Sequence, residues 1–337
     1  MKKISVIITA AVMAAALFSC SMAEDDDKVS GTGSVAEVST ESVTESSEAP
    51  SEINISTEDE SIPSFRLPFK AEDFDGIIDG LSVAVGGSDI IQKGTVDGMN
   101  YSITFQLGKW HRYTSNDQIV TLSKLFWQCY PKMYKRFGFV KGSPTDVSIA
   151  VEDDDYAISW TSGTHIHLND RWLGENKTDF DCITHELVHV IQNGWDEAYL
   201  EYGAYIERFA DYCRFLYAMD NGYYNDACWD LWTPDVENNR ETSVRFMVWL
   251  DYFYSTPDND LMKKFFTVCS EYKYPAAEWD AAWTEILSGS ELEGHDIDDI
   301  WQMYTSSDFA KLKSEVRNEG EVSELLNAYD IRGKLTD

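Results

Sequence analysis

The order of segments along this 337-residue chain predicts an α+β fold, with a small mixed sheet followed by a mainly helical half. Residues 81–107 alternate short apolar runs with Gly-Gly and Asp-Gly turns, a pattern typical of β-hairpins. After about residue 178 the apolar residues recur mostly at helical spacing. Because strands come first and helices afterwards, we do not expect a doubly wound parallel sheet.

Between these two regions the pattern predicts one helix and two strands. Apolar residues recur at helical spacing from Asp117 to Phe137. Strands are predicted from Val147 to Glu152 and from His165 to Leu168, with Ser162-Gly163 between them. We expect the strand that ends at Leu168 to be the sheet edge that pairs with an extended substrate.

The composition is that of a globular protein with an excess of acid. Apolar residues make up 43% of the chain, and 59 Asp+Glu against 27 Lys+Arg give a formal net charge of −32. Such a chain repels phosphate backbones and anionic lipid headgroups, so no nucleic-acid partner is expected.

The N-terminus has the pattern of an export signal. Lys2 and Lys3 precede an apolar run over residues 4–17, which is followed by Phe18-Ser19-Cys20. The Leu-x-Ser-Cys ending resembles the lipobox of bacterial lipoproteins. We therefore expect residues 1–19 to be a lipoprotein signal peptide, and Cys20 to carry the lipid. The alternative is an ordinary signal peptide in which Cys20 is incidental.

Composition divides the rest of the chain. Residues 20–65 are rich in Ser, Thr, Glu and Asp with almost no aromatic residues, and we expect a disordered acidic tether. Residues 66–112 are an N-terminal β-rich segment, and residues 113–337 are the domain that carries the candidate chemistry. The protein should lie outside the cytoplasmic membrane of a bacterium, touching the membrane through its lipid only, as a monomer. The five remaining cysteines are expected to be buried apolar residues, and one disulfide among them is the alternative: Cys129, Cys182, Cys213, Cys228 and Cys269.

The chemistry is carried by His185, Glu186 and His189, which form the pattern H-E-x-x-H. Residues four apart share one face of a helix, so the two imidazoles can bind one Zn²⁺ ion while Glu186 stands beside the open position of the metal. Apolar neighbours give this helix a core-facing side, and Asn193-Gly194 is a helix stop. The alternative is a pair of histidines on a solvated helix face.

A third protein ligand is needed for zinc. The extended pattern with Gly and a third His fails, since Gln192 and Trp195 stand at those positions. Glu207, eighteen residues beyond His189, lies on a predicted following helix. Asp211 is one turn further on the same face and is suited to orient a ligating imidazole. These acids could instead form a solvated face.

The order of these motifs resembles the basic secretory protein family, over about residues 115–305. The matching segments are Thr161-Ser162-Gly163-x-x-Ile166-His167-Leu168, the His185–His189 motif, Glu207-x-x-Ala210-Asp211-Tyr212 and Thr242–Phe246. Arg208 stands where the family has Gly. The resemblance implies a zincin-like fold, with metal ligation of the gluzincin type by His185, His189 and Glu207 and with catalysis by Glu186.

The expected activity is hydrolysis of peptide bonds by a Zn²⁺-activated water, with Glu186 as general base and then acid. The substrate would be a protein or peptide. The tetrahedral oxyanion needs a further donor. The candidates are Tyr202, Tyr205, Arg245 and Tyr252.

Two other functions remain open at this point. The chain could be a non-catalytic surface protein that binds glycan or protein on a zincin scaffold through its many aromatic residues. An intact Glu186 counts against that interpretation, because a binding protein has no physical need for a carboxylate beside the metal. The same zinc site could also hydrolyse a non-peptide amide or ester.

Overall fold

The computed structural model gives the secondary structure of most of the chain after residue 73. The residues that it describes are 74, 77–86, 88–107, 113–138, 144–153, 158–177, 179–192, 196–217, 243–271, 274–275, 278–312 and 328–336. The predicted signal peptide, Cys20, the tether and Cys228 lie outside these residues. None of the helices within them is both long enough and apolar enough to cross a membrane.

The strands form one six-stranded mixed sheet in the order β1-β2-β3-β4-β6-β5. Their bounds are β1 Asp79–Gly86, β2 Asp89–Val96, β3 Met99–Gln106, β4 Asp146–Glu152, β5 Ser159–Ser162 and β6 His165–Asn169. Strands β1, β2 and β3 are antiparallel to one another. Strand β4 is parallel to both β3 and β6, while β5 is antiparallel to β6. The boundary expected at residue 112 therefore lies inside a structure whose sheet is continuous across it.

The edge of the sheet near the helices is β5, and the prediction that the strand ending at Leu168 is the edge was wrong. That strand is β6, which has β4 on one side and β5 on the other. The chain reverses between Ser162 and His165, where Gly163 has a φ of 58° that favours glycine. This tight turn folds residues 159–162 back as one further strand.

Ten helices are described, and all but the first follow the last strand in sequence. Their bounds are α1 Asn116–Phe137, α2 Asp170–Glu175, α3 Cys182–Ile191, α4 Asp196–Tyr217, α5 Val244–Tyr254, α6 Leu261–Ser270, α7 Trp279–Leu287, α8 Ile297–Ser306, α9 Asp308–Lys311 and α10 Ile331–Thr336. Helix α1 begins at a capping box in which Ser115 and Gln118 exchange hydrogen bonds. A mixed sheet followed by a helical half is consistent with the predicted α+β class.

Helix α1 covers the inner face of the sheet through a polar contact in an apolar layer. The buried side-chain oxygen of Gln92, on β2, accepts hydrogen bonds from Ser123 and Trp127 of α1, at 2.6 and 2.8 Å. Ile103 of β3 is opposite Gln92 in the ladder and is fully buried on the same face. Helix α3 packs against α1 and against β5 and β6.

A buried ionic network joins the helices. Arg136 of α1 donates to both carboxylate oxygens of Asp260, at 2.7 and 2.8 Å, and to Asp251 of α5, at 2.8 Å. Tyr212 of α4 donates to the second oxygen of Asp251 at 2.5 Å. Asp260 also caps the start of α6 by accepting from the backbone N–H of Lys263. The network therefore fixes α4 relative to α1, α5 and α6.

The described cysteines are buried, as expected, and none of them forms a disulfide with another described residue: Cys129, Cys182, Cys213 and Cys269. Burial raises the pKa of the Cys182 and Cys213 thiols well above the ordinary value. These thiols act as small apolar side chains of the core.

Candidate metal centre

The H-E-x-x-H motif lies on helix α3, and nearly all of that helix is buried. Its apolar residues point into the core between α1, α4 and the sheet: Ile183, Leu187, Val188 and Ile191. His185 and His189 lie one turn apart on the side that faces α4. The sequence therefore brings two imidazoles to the junction of two helices without breaking the apolar face of α3.

Three donor atoms converge at this junction. The Nε2 atom of His185 lies 3.1 Å from Nε2 of His189 and 3.2 Å from Oε2 of Glu207, and the third side of the triangle is 3.7 Å. A tetrahedral Zn²⁺ ion with ligands at about 2.0–2.1 Å separates its donors by about 3.3–3.4 Å. The donor types and their separations could hold such an ion.

The other nitrogen of each imidazole has a partner that fixes the tautomer. The Nδ1 atom of His185 lies 2.9 Å from Oδ1 of Asp211, and Nδ1 of His189 lies 2.7 Å from the side-chain oxygen of Gln192. Both partners are acceptors, so each Nδ1 donates its hydrogen. In the neutral imidazoles the lone pairs of both Nε2 atoms then face the carboxylate of Glu207. Such a cluster of lone pairs requires a cation, which is a proton or a metal ion.

Asp211 is shared between His185 and Arg208. Its second oxygen accepts a hydrogen bond at 2.7 Å from Arg208, three residues earlier on α4. The three side chains are almost entirely buried. The guanidinium therefore neutralises and orients the carboxylate that holds His185.

The charges in the cluster shift its ionisation strongly. Burial opposes protonation of His185, but the Asp211 and Glu207 carboxylates outweigh it and raise the pKa of His185 well above 6.5. Burial also opposes ionisation of Glu207, but His189 and His185 hold the pKa of this carboxyl well below 4.5. Burial likewise opposes ionisation of Asp211, but His185 and Arg208 outweigh it and lower the pKa of this carboxyl. Without a metal ion, these shifts favour an imidazolium at His185 paired with the carboxylates of Asp211 and Glu207.

Glu186 is held by hydrogen bonds from the edge strand β5. Ser159 donates to Oε1 of Glu186 at 2.8 Å, and Thr161 donates to Oε2 at 2.6 Å. The hydroxyl of Thr161 also lies 3.2 Å from the backbone carbonyl of Glu186. The Glu186 residue is buried, with 5% of its surface exposed. Both oxygens of its carboxylate therefore have a hydroxyl donor.

Three of the four candidate oxyanion donors belong to the packing of the helical layer. Arg245 is buried and donates to the backbone carbonyls of Ala310 and Leu312. The ring of Tyr205 packs against that of Trp279 at an angle of 37°, with 4.0 Å between ring centroids. Tyr252 packs against the rings of Phe253 and Tyr329. The side chain of Tyr202 lies outside the described part of the structure.

The two histidines of β6, His165 and His167, have structural contacts. His165 lies 3.0 Å from the hydroxyl of Ser148, and His167 stacks on Trp160 with ring centroids 5.2 Å apart. Both are on the sheet face opposite to Thr161, because side chains alternate along a strand.

Sequence reasoning missed four residues that contact the cluster or Glu186: Ser159, Thr161, Gln192 and Arg208. Thr161 and Arg208 were noted only as positions in a family pattern. The available signal was spacing. Ser159 and Thr161 are two apart and share a strand face, while Gln192 is three residues beyond His189 on the same helix surface.

Comparison of the chain with family models, with curated proteins and with solved structures finds no match in any of the three.

Proposed function

We propose that this protein is a zinc-dependent metallopeptidase of the zincin type, anchored outside the cytoplasmic membrane of a bacterium by a lipid on Cys20. The observation that carries the proposal is the triangle of His185 Nε2, His189 Nε2 and Glu207 Oε2, with sides of 3.1, 3.2 and 3.7 Å. Membership of the basic secretory protein family is part of this proposal. It is supported by the order of the motifs along the chain.

The donor set supports zinc over harder cations. Two imidazole nitrogens and one carboxylate oxygen are typical of catalytic zinc sites, in which three protein ligands leave the fourth position open. Magnesium and calcium prefer sites built from oxygen atoms alone. Asp211 and Gln192 would fix both imidazoles with Nε2 toward the ion, which is the usual arrangement around a ligating histidine.

A bound Zn²⁺ ion would supply Lewis-acid chemistry, activating a water molecule and polarising the scissile carbonyl. Glu186 follows the first ligand directly and would accept a proton from the attacking water, then deliver it to the leaving amine. His185, His189 and Glu207 would hold the ion. Tyr202 remains a candidate donor to the oxyanion.

Metal analysis with matched variants tests the site. We expect the purified protein to hold about one zinc per chain, and Glu207→Ala to lose it or bind it far more weakly. Glu291→Ala, at an exposed position, is the control and should keep the metal. Zinc retained in full by Glu207→Ala would show that another residue is the third ligand.

Hydrolysis of fluorescently quenched casein then separates an enzyme from a binding protein. Glu186→Gln should keep the metal but lose about a hundred- to ten-thousandfold in turnover. Zinc that is absent from the wild type even after reconstitution would overturn the peptidase proposal and favour the binding protein. Casein cleavage that is equal in wild type and Glu186→Gln would assign the hydrolysis to something other than this site.

A further inference from the structure

The residues that hold Glu186 come from the edge strand and not from its own helix. Thr161 is opposite Ile166 in the ladder between β5 and β6, and Ser159 is opposite Leu168. Ile166 and Leu168 are fully buried on the inner face of the sheet, against which α3 packs. Partners across a ladder share a face, so both hydroxyls point toward α3.

The two hydroxyls donate hydrogen bonds to different oxygens of the Glu186 carboxylate. With a single donor a carboxylate can still rotate about its last side-chain bond, since that torsion is broad. With Ser159 on Oε1 at 2.8 Å and Thr161 on Oε2 at 2.6 Å, the plane of the group is fixed at two points. Because both donors lie on one face of β5, the orientation of the carboxylate depends on the position of that strand.

These two hydrogen bonds leave the carboxylate able to accept a proton. Each carboxylate oxygen has two lone pairs, and each hydroxyl uses one of them. Both hydroxyls donate to the carboxylate, so they align it before a substrate arrives.

We propose that Ser159 and Thr161 are positioning residues that set the orientation of the Glu186 carboxylate for proton transfer. This inference rests on the proposed function, because it assigns Glu186 the role of the base. A positioning role differs in one respect from a role in which the hydroxyls only form hydrogen bonds with a buried carboxylate. Turnover should depend on the hydroxyls, while substrate binding and metal binding should not.

The first test measures the contact itself and needs no activity. The unfolding equilibrium of the full chain in urea is compared for wild type, Thr161→Val, Glu186→Gln and the double variant. A hydrogen bond to a buried charge predicts that Thr161→Val raises the unfolding constant roughly ten- to a hundredfold in the wild type. It should raise it only about threefold or less beside Glu186→Gln, since the neutral amide has lost the charge-assisted bond. Equal effects in both backgrounds would overturn the inference.

The second test measures turnover of quenched casein. Removing both hydroxyls with Ser159→Ala and Thr161→Val should lower kcat about ten- to a hundredfold, with KM and zinc content unchanged. Thr161→Ser keeps the hydroxyl and should recover most of the turnover lost in Thr161→Val. Ser162→Ala, on the same strand but on the opposite face, is the control.

Two outcomes separate this inference from the proposed function. If Thr161→Ser loses as much turnover as Thr161→Val, the role of residue 161 is steric and the positioning role is overturned. If the wild type binds no zinc and cleaves nothing while the urea experiment shows coupling, the proposed function fails and the contact between Thr161 and Glu186 stands.

Discussion

The Nδ1 atom of His185 lies 2.9 Å from Oδ1 of Asp211, and the other oxygen of this carboxylate accepts a hydrogen bond from Arg208 at 2.7 Å. The imidazole of His185 is therefore oriented by the carboxylate of Asp211, which is itself fixed by the guanidinium of Arg208. In a metal centre, such a carboxylate sets which nitrogen faces the ion and makes that nitrogen a stronger ligand.

Replacing Asp211 by Asn should weaken zinc binding about 10- to 100-fold. The amide can still accept the hydrogen bond from His185, but it has no charge to support the ligand and cannot pair with Arg208. Competition with a chromophoric chelator measures the dissociation constant. Asp280→Asn, an exposed position on α7, is the matched control. An unchanged affinity in Asp211→Asn would contradict the arrangement around His185.

The stability of the metal-free protein should depend on pH through the same ion pair. The raised pKa of His185 contributes stability that is complete below the ordinary imidazole value of 6.5 and is lost as pH rises through the folded value. The lowered pKa values of Glu207 and Asp211 contribute stability that is present above their ordinary values of 4.5 and 3.8 and is lost at lower pH. The contribution of the ion pair is therefore greatest between these ordinary values, at about pH 5–6.5.

Urea unfolding in the presence of a chelator, repeated from acid to alkaline pH, measures this dependence. The difference in free energy of unfolding between wild type and Asp211→Asn should be largest in that window and should shrink as pH rises above it. With zinc present we expect the opposite trend, in which this difference grows as pH rises. The reason is that the metal displaces the proton from His185 and binds more tightly at higher pH. A stability difference that grows with pH in the metal-free protein would contradict the assigned charges.

The cluster of His185, His189 and Glu207 was predictable because helical spacing pairs the two histidines and the third residue lies on the next helix. His185 and His189 are four apart, and Glu207 is on the next helix, so the geometry follows from two helices packed in succession. The class of the fold was predictable for a similar reason, since most of the helical pattern follows the strands in sequence.

The support for Glu186 was not predictable in the same way. Residues 159–162 are Ser-Trp-Thr-Ser, which lacks the alternation of apolar and polar residues by which a half-buried strand is recognised. The strand exists because the turn at Gly163 pairs these residues with β6, and their own apolar pattern does not show that pairing. Arg245 illustrates the opposite failure. Its side chain was a candidate oxyanion donor, but it is buried in the helical layer and donates to two backbone carbonyls there.

The Arg136 network should contribute strongly to the stability of the helical layer. Asp251 is fully buried and accepts hydrogen bonds from Arg136 and Tyr212, so Arg136→Met would leave a buried charge with one partner fewer. Removing one partner of a buried ion pair costs about 3–5 kcal/mol. The neighbouring pair of Lys135 and Asp97 has side chains that are 75% and 69% exposed, and Lys135→Met should cost under about 1 kcal/mol.

Urea unfolding of the two variants, at one pH and salt concentration, tests this difference. Both substitutions introduce Met at adjacent positions of α1. Arg, Lys and Met have similar helix propensities, so helix propensity contributes little to the difference between the variants. Equal destabilisation by the two substitutions would show that the buried network contributes no more than a surface pair.

The acidity of the chain should favour cationic substrates if the protein is a peptidase. A net charge of −32 attracts positive peptides and repels negative ones, and such steering changes association rates by about 10- to 1,000-fold. Peptides that share one cleaved core and differ only in flanking Lys or flanking Glu isolate this effect. The Lys version should have the larger kcat/KM at about 10 mM salt, where the screening length is about 30 Å. The advantage should largely vanish near 1 M salt, where that length is about 3 Å. A version with neutral flanks should change little with salt. A preference for Lys that is independent of salt would instead assign it to a direct contact beside the cleaved bond.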